Sequence, residues 1–257
     1  MYVGIDLGSR FVKVAILQDN IIDYKLYDTV EFYKNYIKKS EKDLILDPFF
    51  LGDKPSKIVA TGYGRNLLNF KNVEVISEIK AHYRGALEHL NNNNFILLDI
   101  GGQDSKVIIV RDRYIEDFVM NDKCAASSGR FIEIAANILK ISIEKFGSMI
   151  ENPVKLSSTC SVFAESEIIS RIAEGYPFES IAAGVNESVA KRILPLIKKY
   201  NKHTIFASGG VVMLSGVRYF LSKHLSKEIE ILNNSQFNGA IGCLAYAYPQ
   251  GLGAFRL

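Results

Sequence analysis

Gly4-Ile5-Asp6-Leu7-Gly8-Ser9 and, 93 residues further on, Leu98-Asp99-Ile100-Gly101-Gly102 decide the reading of this chain. In both stretches an acid closes an apolar run, glycine follows, and a second apolar run returns at once, over residues 11–17 and 105–110. Glycine beside a strand-end Asp permits a tight hairpin whose backbone N–H groups converge on one phosphate, and the acid can hold a hard cation such as Mg²⁺. Either turn alone is a weak signal, because glycine in a β-turn is more often only a turn. Their recurrence at a fixed spacing makes an internal repeat, so two similar halves are expected.

Working outward, strands over 2–6, 11–17 and 21–29 lead into a helix over 30–39 and a loop holding Pro48, Gly52 and Pro55. Strands over 57–61 and 73–76 and a helix over 78–90 complete the first half. The second half reads as strands over 95–99, 105–110 and 113–119, helices near 127–139 and 163–174, a helical region over 178–200 and a strand over 204–208. A helix of small residues follows over 239–247. The expected fold is α/β, with duplicated lobes over 1–92 and 93–257 around a nucleotide cleft, and with 239–257 able to pack back on the first lobe. Ser208-Gly209-Gly210-Val211, after an apolar strand and before a helix, reads as an edge that a flat or charged ligand can approach closely.

The chain's 257 residues suffice for a large core, and 48% hydrophobic and 23% charged residues are ordinary for a globular protein. No window approaches the roughly 20 apolar residues of a membrane helix. The first strand begins too early for a secretory signal, so a cytoplasmic location is expected. With 31 basic and 28 acidic side chains the net charge is only +3, which gives nucleic-acid binding no support. Three widely spaced cysteines argue against structural disulfides.

Asn121-Asp122-Lys123-Cys124 precedes one helical run and Ser157-Ser158-Thr159-Cys160 another. Both cysteines are therefore expected to open helices, where unsatisfied N–H groups favour thiolate. A [4Fe–4S] cluster takes four thiolates and one chain offers two, so a twofold dimer giving Cys124 and Cys160 twice is the economical solution. On residue type alone, simple burial and a zinc site stand beside it. Cys243, among Gly239, Ala240, Gly242 and Ala245, reads as packing.

The ordered motifs Asp6-Leu7-Gly8-Ser9, Ser77-Glu78, Asp99-Ile100-Gly101-Gly102-Gln103-Asp104, Ser208-Gly209-Gly210 and Gly239-Ala240-Ile241-Gly242 resemble the actin/Hsp70/hexokinase ATPase superfamily over nearly the whole chain. The resemblance implies that the Asp6 turn (Gly8, Ser9) and the Asp99 turn (Gly101, Gly102, Gln103, Asp104) bind the phosphates of ATP or ADP, with Asp6 and Asp99 on Mg²⁺. It implies that Gly209, Gly210 and Val211 meet the adenosine, and that the helices from Glu78 and Gly239 connect the lobes. Glu78 falls where an acid polarises the attacking water, or is an acid complementing its helix dipole. Lys13 is a candidate phosphate contact or a surface lysine. His82 reads as structural.

Asn121-Asp122-Lys123-Cys124-Ala125-Ala126-Ser127-Ser128-Gly129-Arg130 and Thr159-Cys160-Ser161-Val162-Phe163-Ala164-Glu165-Ser166-Glu167 are similar to the activators of 2-hydroxyacyl-CoA dehydratases and the ATPase subunits of benzoyl-CoA reductases. That similarity implies a homodimer with one [4Fe–4S] cluster held by Cys124 and Cys160 of both copies. It also implies ATP-driven electron transfer to an iron–sulfur dehydratase, reductase or double-cubane cluster protein, with ferredoxin or flavodoxin as donor. Gly129 and Arg130 would lie beside the nucleotide or cluster. Glu165 and Glu167 would meet the ribose hydroxyls, solvated helix acids being the plain alternative. Ser127-Ser128 stands where the family commonly has Gly-Thr, and the added side chain is expected to crowd that loop. A sugar-type kinase of the same fold and a nucleotide-dependent assembly switch are the rival readings.

Overall fold

Alternation along β1 (Tyr2–Leu7) and β2 (Phe11–Gln18) sets the first layer. Val3, Ile5, Leu7, Val12, Val14 and Ile16 enter one apolar cluster with Phe32 and Phe50, whereas Ala15 and Leu17 enter another with Ala240, Ile241 and Leu244. The computed structural model describes residues 1–40, 43–62, 73–121, 125–157, 161–200, 203–253 and 255. The chain divides into two compact units, Met1–Asn92 with Leu232–Leu257, and Asn93–Ile231.

In the first unit the sheet order is β3-β2-β1-β6-β7, with β3 at Ile21–Asp28, β6 at Lys57–Gly62 and β7 at Glu74–Val75. β1 pairs antiparallel with β2 and parallel with β6. One face carries α1 (Thr29–Tyr36); against the other lies α8 (Asn238–Ala247), which also crosses α2 (Glu78–His89). The α2–α8 crossing runs through glycines, because a methyl on Gly85 would lie 2.1 Å from the Asn238 carbonyl oxygen.

The second unit repeats the plan: β10-β9-β8-β11-β12, with β8 at Phe95–Ile100, β9 at Ser105–Arg111, β10 at Tyr114–Asn121, β11 at Ile205–Ser208 and β12 at Ile229–Ile231. Ile96, Leu98, Ile100, Val107 and Ile109 form one face and pack into a cluster with α3 (Gly129–Leu139) and α6 (Phe178–Lys198). α4 (Ile143–Gly147), α5 (Ser161–Ala173) and α7 (Ser215–Leu225) complete the unit. Among the described residues no helix is long and apolar enough to cross a membrane.

Three sequence readings are corrected. The helix expected over 30–39 stops at Tyr36, and Ile37–Ser40 forms β4, paired antiparallel with β5 (Asp43–Leu46). Asp28 caps α1 by accepting from the Val30 and Glu31 N–H groups, but nothing in the sequence marks its end; strand pairing overrides helical pattern there. The strand expected over 73–76 is reduced to Glu74–Val75. The helical run expected over 125–139, after Cys124, is split into a 3₁₀ turn, Ala125–Ser127, and α3, which starts at Gly129.

Candidate functional site

At the Asp6 turn, register places Asp6 opposite Lys13 on β2 and Thr61 on β6. Lys13 Nζ donates to Asp6 Oδ2 at 3.1 Å and lies over Gly8, where a methyl would approach the ammonium to 2.6 Å. The Gly8 carbonyl accepts from the Thr29 hydroxyl at 2.8 Å, and Ser9 sits at the bend. A methyl on Gly239, near the start of α8, would lie 3.2 Å from Asp6 Oδ2 and 3.1 Å from His82 Nε2. Glu78 begins α2 one turn before buried His82.

Cys243 is fully buried on α8. Burial pushes its thiol well above the usual range and the charge of Asp6 pushes it further, with Glu78 adding to the same effect against a lowering backbone hydrogen bond from Ile5. Alkylation of the native protein is expected to spare Cys243, and peptide mass spectrometry should find it modified only after denaturation.

The Asp99 turn repeats this chemistry more deeply. Asp99 faces Lys106 on β9 and Ser208 on β11. Ser208 Oγ donates to Asp99 Oδ1 at 2.8 Å, while Lys106 Nζ stands 3.4 Å from Asp99 Oδ2 and 2.8 Å from Asp104 Oδ2. Lys106 is 2% exposed, so its side-chain nitrogen is held between two carboxylates inside the second unit. Sequence reasoning did not select it, although it follows Lys13 by the same 93 residues that separate the two acids.

Gly209 has φ +91°, and a methyl there would lie 2.3 Å from the Ile100 carbonyl oxygen and 3.0 Å from Asp99 Oδ1. Gly62, after Thr61, has φ +117° and would meet the Leu7 carbonyl oxygen at 2.4 Å, so it is the counterpart of Gly209 in the first unit. Gly210 and buried Val211 lead into a 3₁₀ turn, and a methyl on Gly129 would lie 3.0 Å from Val211 Cγ2. The structure thus gathers Asp99, Gly101, Gly102, Asp104, Gly129, Gly209 and Val211.

Gly101 and Gly102 accept at their carbonyls from the Gly129 and Arg130 N–H groups, at 3.0 and 2.8 Å. Because a trans peptide aims its N–H opposite to its C=O, these bonds turn the Gly102 and Gln103 N–H groups away from α3. A phosphate on that side of the turn would face the Gly102 and Gln103 N–H groups. Gln103 is exposed at the turn's tip, and Arg130 extends outward to Glu133 at 3.2 Å.

Cys124 and Cys160 themselves lie outside the described residues. The α-helix expected to open at Cys124 is corrected: the residues that follow form a three-residue 3₁₀ turn, and the first donors of α3 are taken by the turn carbonyls. Cys160 directly precedes Ser161, the first residue of α5. On α5, Glu165 is exposed, while Glu167 Oε1 accepts from the Ser157 N–H at 2.7 Å and its hydroxyl at 2.8 Å. With Cys243 held in the core, the remaining thiols of the chain are Cys124 and Cys160.

A family model described as the BadF/BadG/BcrA/BcrD ATPase family matches residues 3–247. The (R)-2-hydroxyglutaryl-CoA dehydratase activating ATPase of Acidaminococcus fermentans is 37% identical over 253 residues, covering 96% of this chain and 97% of the relative. The 2-hydroxyisocaproyl-CoA dehydratase activator of Clostridioides difficile is 38% identical over 265 residues, covering 96% and 95%. A solved structure of the Clostridium difficile activator with bound ADPNP superposes with a TM-score of 0.83 at 32% identity, over 97% of this chain and 95% of that one. The fold is the actin-like ATPase fold.

Proposed function

Since the chain belongs to the BadF/BadG/BcrA/BcrD ATPase family, we propose that it is an ATP-hydrolysing activator that delivers low-potential electrons to an iron–sulfur partner enzyme. The observation that carries this reading is the twinned acid and lysine at a glycine turn, Asp6 with Lys13 and Asp99 with Lys106. Two such turns suit a Mg²⁺–nucleotide, whose metal takes one or two carboxylates and whose phosphates take backbone N–H groups and ammonium charge. Asp6 and Asp99 hold Mg²⁺ directly or through its waters. Gly8, Ser9, Gly101, Gly102, Gln103 and Asp104 form the phosphate turns, and Lys13 offsets phosphate charge. Gly209, Gly210 and Val211 take the adenosine, flanked by Gly129 and Arg130, and Glu165 and Glu167 take the ribose hydroxyls. Glu78 orients the water that attacks the terminal phosphate.

Cys124 and Cys160, with the same pair from a second copy, hold one [4Fe–4S] cluster in a homodimer. When bound, that cluster supplies a one-electron carrier. The activator names of the relatives support a partner such as a 2-hydroxyacyl-CoA dehydratase, and a benzoyl-CoA reductase component of Thauera aromatica is a further, 27% identical relative. A related reductase or a double-cubane cluster protein fits the same chemistry, with ferredoxin or flavodoxin as donor in the cytoplasm.

Anaerobic iron, sulfide and molar-mass analysis tests the reading. About four irons per dimer are expected, lost in both Cys124→Ala and Cys160→Ala. An iron-free wild type after anaerobic reconstitution would overturn it and direct attention to phosphoryl transfer onto sugars.

A further inference from the structure

The Asp99 turn is joined to the segment that carries Cys124 by a compact set of hydrogen bonds. Besides the Gly129 and Arg130 N–H bonds to the turn carbonyls, Ser105 Oγ donates to the Ser127 carbonyl at 2.7 Å, a bond buried on both sides. Ser127 Oγ in turn accepts from Asn121 Nδ2 at 2.7 Å. Asn121 ends β10 and Ser127 ends the 3₁₀ turn, so the two stand on either side of Cys124 in the chain. Ala126, Ser127 and Ser128 are each 0% exposed.

From this we infer that Asn121 and residues 125–130 form the element through which nucleotide at the Asp99 turn acts on the two flanks of Cys124, with Ser127 and Asn121 as its positioning residues. The inference rests on the proposed function for the two ends of that path and adds what lies along it. The peptides that would present Gly102 and Gln103 N–H groups to a phosphate are the ones whose carbonyls hold α3. A peptide plane is rigid, so a phosphate that rotates either plane must lengthen or tilt its bond to Gly129 or Arg130. Ser105, at the end of the same turn, carries that displacement to the Ser127 carbonyl, and the Ser127 hydroxyl carries it to Asn121. A displacement of this chain of bonds moves both flanks of Cys124 together. Glycine at position 127 would lack the hydroxyl and leave Asn121 without this link, so Ser127 tightens the coupling that the turn makes possible.

Hydrogen–deuterium exchange of the full-length chain, with and without Mg²⁺ and a non-hydrolysable ATP analogue, tests this without any cluster. In the wild type the analogue is expected to slow exchange over 99–105 and over 121–130, each by at least about fivefold. In Ser127→Gly and in Asn121→Ala the protection over 99–105 should persist while the nucleotide-dependent change over 121–130 falls to less than about twofold. A merely structural role would raise exchange equally with and without nucleotide and leave the ratio intact, and that result overturns the inference. Protection confined to 99–105 in the wild type also overturns it while leaving nucleotide binding standing. Absence of protection at both segments overturns the nucleotide reading and the coupling with it.

Discussion

Gly242→Ala is expected to lower stability by more than about 3 kcal/mol, the upper end of ordinary overpacking. A methyl at Gly242 would lie 1.8 Å from the Ala81 carbonyl oxygen, 2.6 Å from its carbon and 2.9 Å from the Gly85 nitrogen. All three neighbours are backbone atoms of α2, so no side-chain rotation relieves the clash and the helices must separate. Separation exposes the cluster of Val59, Ala81, Cys243 and Ala247 and shifts the start of α8, where Gly239 adjoins Asp6 and His82. Nucleotide affinity should therefore fall together with stability. Urea unfolding followed by circular dichroism provides the measurement, with Gly253→Ala as control, since nothing lies within 4 Å of a methyl there. Equal midpoints for the two variants would refute the close crossing.

Lys106→Met is expected to cost about 3–5 kcal/mol, because it leaves Asp99 and Asp104 without the ammonium buried beside them. The shape of the side chain is nearly kept, so the loss is electrostatic rather than steric. Millimolar Mg²⁺ without nucleotide should then raise the melting temperature of the variant and leave that of the wild type almost unchanged, since the cation replaces the missing charge. Lys106→Met/Asp104→Asn should recover part of the loss. A variant as stable as the wild type and indifferent to Mg²⁺ would show that Lys106 does not fix these carboxylates.

The repeat that specified two α/β halves was legible because the acid-glycine punctuation of Asp6 and Gly8 recurs at Asp99 and Gly101, a recurrence that plain turns do not produce. Lys106 was overlooked since it stands beside Ser105 ahead of the apolar run Val107–Val110, where a lysine reads as a solvated strand end. The register with Asp99 turns it into a buried partner. The match of Thr61-Gly62 with Ser208-Gly209 was hidden for another reason. Among the described residues four helices, α3 to α6, lie between β8 and β11, so the spacing that reveals the two acids fails for these two glycines. The β4–β5 hairpin escaped because Lys38 and Lys39 read as a solvated helix end, whereas Lys38 reaches Asp47 at 2.7 Å beyond the hairpin. For Cys124, the cap residues before it suggested a helix start. The true start, at Gly129, is decided by carbonyls of a turn nearly thirty residues earlier, which no local pattern contains.

The contribution of α8 to the first unit has a bearing on how the chain is made. Ala15 and Leu17 on one face of the first sheet are covered by Ala240, Ile241 and Leu244, which leave the ribosome only after all of residues 93–231. The usual order, in which the earlier-synthesised part folds first, is thereby reversed. The second unit has its whole sequence available while the first still lacks a wall, and until residue 247 emerges the growing chain presents a bare apolar sheet face of the kind that chaperones shelter.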